Sequence, residues 1–237
     1  GKPLEGAEVR IQTGDPPPKA TTDATGRFTI DSLGTGNYFV TAEAVGYAAA
    51  TKNDIAAGTQ DLEFVLDLET ILAGKVISDE DEAPVGNATV NASLTSVGMT
   101  RSFQVSTDSQ GRFELKGLTA GPCVLTADHE EFAPTQESRE LTAGESARDL
   151  VLRLKRGLQA TGKVADASTD EPIANAQVFF NAADGGSNQR GPKSAKTGPD
   201  GTFTAKGLQE GRYVLSAQAK GFLPGKNRTI TVAPAGG

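Results

Sequence analysis

The sequence is poor in the residues on which most enzyme sites and large hydrophobic cores depend. Its 237 residues include one cysteine, one histidine and no tryptophan, and aromatic residues make up 5% of the chain. A single cysteine has no partner for a disulfide within the chain, and a single histidine cannot form a zinc site that needs several imidazoles. The shortage of large side chains predicts several small cores instead of one extensive core.

Basic clusters and long apolar runs are lacking as well. The formal net charge is −7, and no run of lysine and arginine offers the positive surface that nucleic acid requires. No apolar run approaches the roughly 20 residues of a membrane-spanning helix. No signal peptide begins at Gly1. Cellular location therefore has to be inferred from resemblance to other proteins.

What the sequence has instead is an internal repeat. Residues 22–28 (TDATGRF) recur as residues 107–113 (TDSQGRF) and, more loosely, as residues 197–203 (TGPDGTF). Each copy follows a proline, alanine and valine motif, at residues 3–9, 84–90 and 172–178. Each precedes a leucine and glycine motif, at residues 33–38, 118–123 and 208–213. The repeat predicts three units, comprising residues 1–69, 70–156 and 157–237.

Within each unit the apolar residues alternate with polar ones. Tyr38, Val40 and Ala42 form one such series, and the closing segments 62–68 and 150–154 form others. Alternation with turn residues every 8 to 12 positions is typical of antiparallel sandwiches. The glycine of each Asp-x-x-Gly segment predicts a hairpin turn with positive φ. We therefore expect an all-β protein of three tandem Ig-like or transthyretin-like antiparallel β-sandwiches.

These motifs resemble the carboxypeptidase regulatory-like family of the transthyretin-like sandwich group. The resemblance covers essentially the whole chain and implies an extracellular or cell-surface location, with bacteria as the expected source. It says little about function, because such modules accompany peptidases, receptors, adhesins and scaffolds alike. In the second unit Cys123 stands where the other units have Tyr38 and Tyr213. We interpret this cysteine as a small buried residue of the core.

The two terminal units are incomplete in the alignment. The second and third units open with strands around Lys75 and Lys163, whereas Gly1 already aligns beyond that strand. The third unit stops before the place of a closing strand. Every recognisable strand has an expected place in its own unit, so the completing strands should come from residues outside this sequence. They could belong to the same polypeptide or to neighbouring subunits by strand addition.

No catalytic constellation can be assembled, and we predict a non-enzymatic protein without a cofactor. A Ser-His-Asp triad would have to use His129, and no Gly-x-Ser-x-Gly elbow is present. The weak metal candidates are acidic residues at corresponding loops of the second and third units, where calcium could stiffen a rod. These are Asp79, Asp81, Asp166 and Asp170. The alternative interpretation is a solvated acidic loop.

Two further chemistries find little support. Lys75 and Lys163 lie in opening strands, where an isopeptide bond could form, but alternation turns both lysines outward. Carbohydrate stacking is disfavoured because the tyrosines match core positions. The expected function is a structural segment that forms a semi-rigid rod, with short junctions between its units. The alternatives are a filament subunit completed by strand exchange, an adhesin module that binds protein or glycan, and an accessory region of an enzyme.

Overall fold

The computed structural model describes residues 1–96, 99–183 and 193–234. The described residues form seventeen β-strands and no helix. No helix among them is therefore long and apolar enough to cross a membrane. The buried apolar residues fall into three clusters, within residues 9–66, 72–154 and 158–232. The prediction of an all-β chain with several small cores is confirmed.

The first unit holds one four-stranded antiparallel sheet in the order β2-β1-β3-β4. Its strands are β1 (Glu8–Ile11), β2 (Lys19–Thr21), β3 (Asn37–Glu43) and β4 (Ala50–Ala56). Alternate residues of β1 and β3 face the core, as period-two patterning requires. Val9, Ile11, Val40 and Ala42 are all buried.

The second unit is a complete two-sheet sandwich. One antiparallel sheet has the order β10-β9-β6-β7, with strands β6 (Thr89–Ser96), β7 (Met99–Ser106), β9 (Gly121–His129) and β10 (Phe132–Leu141). The other has the order β11-β5-β8, with strands β5 (Thr70–Ser78), β8 (Arg112–Leu118) and β11 (Ser146–Leu154). The central strand β5 is antiparallel to β8 and parallel to β11. The other strand pairs that the structure describes are antiparallel.

The third unit repeats this plan with one strand fewer. Its larger sheet has the order β14-β13-β16-β17, with strands β13 (Gln177–Ala182), β14 (Lys193–Lys196), β16 (Gly211–Gln218) and β17 (Arg228–Val232). Its smaller sheet contains β12 (Leu158–Lys163) and β15 (Thr202–Leu208). Phe180, Phe203 and Tyr213 fill the core, with ring centroids 6.0 and 6.3 Å from Phe180.

The first and third units differ from the second in their smaller sheet. In the second unit that sheet has the order β11-β5-β8, so β5 is its central strand and β11 is an edge strand. Among the described residues of the third unit no strand takes the place of the edge strand β11, and β12 still pairs with β15. Among the described residues of the first unit no strand takes the place of the central strand β5, and neither residues 22–36 nor residues 57–69 form a strand. The predicted closing strand at 62–68 is therefore wrong, although Leu62, Phe64 and Leu66 still pack on the core. A trough of about 730 Å³ lined by Phe28, Ile30 and Leu62 accompanies this loss.

The Asp-x-x-Gly turns differ from the hairpins that the sequence predicted. Gly26, Gly111 and Gly201 do have positive φ, of 76°, 71° and 74°. In the second unit, however, this turn carries the chain from β7 in one sheet to β8 in the other. A Cβ on Gly111 would lie 2.4 Å from the carbonyl oxygen of Val76. The glycine is thus required by close contact with the opening strand as well as by its φ.

The threonine that begins each repeated motif ties the turn to the preceding loop. The Thr107 hydroxyl donates to the carbonyl of Val85 at 2.8 Å and accepts from the amide of Ala88 at 2.9 Å. Thr197 and Thr22 make the same pair of bonds in the other units. Thr107 and Thr197 are buried, so each hydroxyl satisfies two backbone groups that water does not reach.

Candidate functional site

Hydrogen bonds connect each junction to the units on both sides of it. At the first junction, the amide of Ala48 donates to the carbonyl of Asp67 at 2.9 Å, and the amide of Glu69 donates to the carbonyl of Gly46 at 3.0 Å. Leu68 therefore forms a β-bridge with Tyr47 of the first unit. The linker between the units is held as backbone structure and is not a free tether.

The same linker is also fixed to the second unit. The carboxylate of Glu69 accepts a hydrogen bond from the amide of Gly117 at 2.8 Å. The amide of Gly144 donates to the carbonyl of Leu68 at 3.2 Å. On the outer side, the guanidinium of Arg101 donates to the carbonyl of Ala49 at 2.7 Å and to the Thr51 hydroxyl at 3.0 Å. Both sides of the first junction are hydrogen-bonded.

The second junction repeats the backbone pattern of the first. The amide of Ala133 donates to the carbonyl of Lys155 at 2.9 Å, and the amide of Gly157 donates to the carbonyl of Glu131 at 3.0 Å. Phe132 and Arg156 form the corresponding β-bridge. The agreement of two independent junctions in the same pattern identifies the linker geometry as a property of the repeat.

Glycines bring the second and third units into direct backbone contact. Within the third unit, at its start, a Cβ on Gly157 would lie 2.2 Å from the Cα of Gly207. A Cβ on Gly207, whose φ is +68°, would lie 2.6 Å from the carbonyl oxygen of Glu130 and 2.8 Å from that of Phe132. At the first junction the aligned positions are Glu69 and Gly117, where a side chain bridges the units instead. The first junction is therefore bridged by the Glu69 side chain, and the second by direct backbone contact at Gly207.

Polar side chains reinforce the second junction. The ammonium of Lys193 lies 2.5 Å from the carboxylate of Asp128 and donates to the carbonyl of His129 at 3.0 Å. Its side chain is only 12% exposed, so this contact is more shielded from water than an ordinary surface pair. The side-chain amide of Gln209 donates to the carbonyl of Pro134 at 2.7 Å. Lys206 pairs with Glu131 at 3.3 Å.

The histidine named in the sequence analysis lies beside this junction. The Nδ1 atom of His129 accepts a hydrogen bond from the amide of Glu131 at 3.2 Å, and its ring packs edge-on against Phe132. His129, Asp81 and Arg156 line a shallow cleft of about 240 Å³. No hydrogen bond joins His129 to Asp81 among the described residues.

The acidic residues named as metal candidates form loop hydrogen bonds. The Asp166 carboxylate accepts from the amides of Ser168 and Thr169 at 2.7 and 3.1 Å, and these bonds lower its pKa. Hydrogen bonds from the Ser78 hydroxyl and the amide of Ala83 lower the pKa of Asp81. No group of three or more possible metal ligands occurs among the described residues, Asp79 and Asp170 included. Calcium binding by these loops stays a prediction.

The remaining candidates have structural positions. Cys123 is buried in the second core, and desolvation raises the pKa of its thiol. Val76 faces that core while Lys75 is exposed, as alternation predicted. Lys163 is likewise exposed in β12. Tyr213 is buried, whereas Tyr38 and Tyr47 are half-buried.

One known protein family matches all three units. The carboxypeptidase regulatory-like domain matches residues 1–67, 71–155 and 159–237. The chain belongs to this family. The unmatched residues 68–70 and 156–158 coincide with the two junctions. The carboxypeptidase regulatory-like repeat therefore includes both sheets, and the linker hydrogen bonds lie where one repeat meets the next.

The solved structures that match this chain are distant in sequence and superpose on it with low TM-scores. The Bacillus anthracis TIE protein is 17% identical with a TM-score of 0.34, and the match covers 98% of this chain and 46% of that one. A streptococcal ancillary pilin is 13% identical with a TM-score of 0.37, covering 98% and 89%. The minor pilin GBS52 of Streptococcus agalactiae is 15% identical with a TM-score of 0.34, covering 70% and 91%. No curated protein matches this chain.

The sequence predicted the short junctions but not the residues that fix them. Lys193 and Gln209 bond to the preceding unit through side chains that the repeat does not share. One signal was available: the position before the second opening strand is Glu69, and the aligned position before the third is Gly157. A change from a charged residue to glycine at a junction indicates a change from side-chain contact to backbone contact.

Proposed function

We propose that the chain is a non-catalytic, semi-rigid rod segment of an extracellular or cell-surface protein. The supporting observation is the linker geometry, in which the residues between units are hydrogen-bonded to the unit before and to the unit after. An interface held this way restricts bending, whereas units joined by an unbonded linker reorient freely. The proposal includes unit boundaries at residues 69/70 and 156/157.

The surface agrees with a spacer. The large exposed apolar residues among those described are distributed over all three units, in strands and in loops, and single exposed apolar residues are ordinary. They are Phe39, Val45, Val65, Leu68, Val151, Phe222 and Leu223. An adhesin module would instead present a contiguous apolar or aromatic patch away from the chain ends.

The stiffness of the second junction can be measured as a distance distribution. Spin labels at Glu140 and Lys220, both exposed, report the orientation of the second unit relative to the third. The labelled cysteines are placed in a Cys123→Ser background. We expect one narrow distribution for the otherwise unchanged chain. A Gly-Ser insertion between Arg156 and Gly157 serves as the control for a loosened linker.

The variant Gly207→Ala tests the backbone contact itself. Its Cβ would overlap the carbonyl oxygens of Glu130 and Phe132, and positive φ adds about 1–2 kcal/mol of strain for alanine. We expect the distance distribution to broaden towards that of the insertion control. Gly221→Ala provides a matched control, because Gly221 has a φ of +87° but no atom within 4 Å of its Cβ position. An unaltered chain as broad as the insertion control would refute the rod.

A further inference from the structure

The hairpin between β9 and β10 faces the third unit, and its turn residues are Glu130 and Glu131. The carbonyl of Glu131 accepts a hydrogen bond from the amide of Gly157 at 3.0 Å. The carboxylate of Glu131 lies 3.3 Å from the ammonium of Lys206 and 3.8 Å from the guanidinium of Arg156. Glu131 therefore connects this hairpin both to the linker and to the third unit.

The amide of Glu131 is held by the only histidine in the sequence. It donates to the Nδ1 atom of His129 at 3.2 Å, so the ring of His129 closes the turn within its own hairpin. An imidazole nitrogen accepts a hydrogen bond only when it carries no proton. The contact therefore requires a neutral ring with its proton on Nε2.

The corresponding turns of the first and third units have no histidine. In both, alanine stands at the place of His129, and a glycine with positive φ stands at the place of Glu131. These residues are Ala44 and Gly46 in the first unit and Ala219 and Gly221 in the third. Glu131 does not have positive φ. The turn of the second unit therefore replaces glycine geometry with a hydrogen bond to a side chain that can be protonated.

The charges around His129 would draw a protonated ring away from this amide. Glu80 and Asp81, in the loop after β5, and Arg156, in the linker, line the cleft together with the histidine. The hairpin and the third unit contribute the charges of Asp128, Glu130, Glu131, Lys193 and Lys206. Carboxylates are the majority of these groups, and both lysines are already paired with carboxylates of the hairpin. A positive ring is therefore attracted towards the loop after β5 and repelled by the N–H of Glu131.

We propose that protonation of His129 loosens the second junction, whereas the first junction does not respond to the same change of pH. Histidine is the side chain that ordinarily changes its charge between about pH 5 and pH 8. As the pH falls through this range, the amide of Glu131 loses its acceptor, and the turn that places the Glu131 carbonyl against Gly157 is released. The inference rests on the proposed rod function, because it concerns the stiffness of the same linker.

A titration followed by nuclear magnetic resonance tests the histidine contact directly. The ring signals of His129 are unambiguous, because the sequence contains no other histidine. At about pH 7.5 we expect the neutral ring to carry its proton on Nε2. The amide resonance of Glu131 should then shift with the same midpoint as the ring signals. A neutral ring with its proton on Nδ1 would overturn the proposal.

Hydrogen exchange of the linker amides measures the loosening itself. The amide of Gly157 reports the second junction and that of Glu69 the first, since each donates to a carbonyl of the preceding hairpin. Protection factors, corrected for the intrinsic effect of pH on exchange, are compared at about pH 7.5 and about pH 5, where carboxylates keep their charge. Loss of one ordinary hydrogen bond changes an opening equilibrium by about 2- to 12-fold. We expect the protection of Gly157 to fall by this factor and that of Glu69 to stay unchanged.

Two variants separate protonation from other effects of acid. In His129→Asn the side-chain oxygen can accept from the amide two residues further on, and it does not titrate in this range. The protection of Gly157 should then be the same at both pH values. His129→Ala places the residue of the first unit in the turn of the second without its glycine, and Gly157 should be less protected at both pH values. Unchanged exchange of the buried β6 amides verifies that the second unit is folded in each variant.

The outcomes distinguish the pH response from the rod function. Equal protection of Gly157 at the two pH values in the unchanged chain would overturn the pH response and leave the rod intact. A decrease that persists in His129→Asn, or one that Glu69 shows to the same extent, would assign the effect to other groups and overturn it as well. Linker amides that are unprotected at both pH values would refute the rod, and the pH response with it.

Discussion

The most informative perturbation is the same substitution at one aligned position in two units. Leu154 lies in β11 and is 0% exposed, whereas Leu66 lies in the unpaired segment of the first unit and is half-buried. Leu154→Ala and Leu66→Ala remove the same atoms from corresponding places. A difference between their losses of unfolding free energy measures how much the parallel pairing of β11 with β5 adds to the burial of the leucine.

The structure sets the expected size of that difference. Truncating a fully buried leucine to alanine costs about 2–5 kcal/mol, because the lost transfer free energy is joined by the cost of a cavity. Full burial of a leucine contributes about 1.5–3 kcal/mol, so a half-buried one that leaves no closed cavity should cost about 1 kcal/mol. We expect Leu154→Ala to be at least twice as destabilising as Leu66→Ala.

Hydrogen exchange followed by mass spectrometry can assign each loss to its own unit. Peptides from β5, β8 and β11 report the opening free energy of the second unit, and peptides from β1 and β3 report that of the first. In the unchanged chain, amides of residues 61–66 should exchange much faster than those of residues 149–154. Equal protection of the two segments, or equal losses for the two variants, would refute the conclusion that the first closing strand is absent.

Three other predictions concern the repeated motif and the core. Thr107→Val should lower the unfolding free energy by about 1–3 kcal/mol in denaturant titration, because two buried backbone groups lose their partner; Thr22→Val should cost less, since that site is half-exposed. Hydrogen bonds from the backbone and side chain of Arg112 lower the pKa of Asp108 in the folded state. Its stabilising contribution is therefore present above the unfolded pKa of about 4 and lost as pH falls through the folded value. Asp108→Asn keeps an acceptor oxygen, so the decrease in Tm from about pH 7 to about pH 3 should become smaller. Cys123 should react with an aromatic disulfide reagent only after unfolding, because its thiol is 1% exposed and burial raises its pKa; rapid labelling of the native chain would contradict the placement.

The repeat carried most of the fold prediction. Alternation in Tyr38, Val40 and Ala42 reports which side chains face a core, and the turn glycines report where the backbone has positive φ. Neither pattern reports whether a strand has a neighbour. That is why residues 62–68 resembled a strand in sequence although no central strand lies beside them among the described residues. The parallel pairing of β5 and β11 was missed for the same reason, since alternation is common to both directions.

The contacts at the junctions could not be predicted from the sequence. Lys193 reaches Asp128 only because β14 lies at the edge of its sheet next to the preceding unit. Such proximity follows from the relative orientation of two units, which neither repeat encodes alone. The aligned difference between Glu69 and Gly157 showed that the two junctions differ, but not which groups they bring together.

In an array of such units, the loss of a central strand disrupts more pairing than the loss of an edge strand. The closing strand of one unit leads within a few residues into the central strand of the next, as β11 leads into β12. Losing an edge strand leaves its neighbours paired, whereas losing a central strand releases two segments at once. Unfolding of an opening strand should therefore open its own small sheet completely and release the linker contacts with the unit before it. Stability along such an array is then coupled between neighbours, and the coupling is strongest at the junctions where backbone meets backbone.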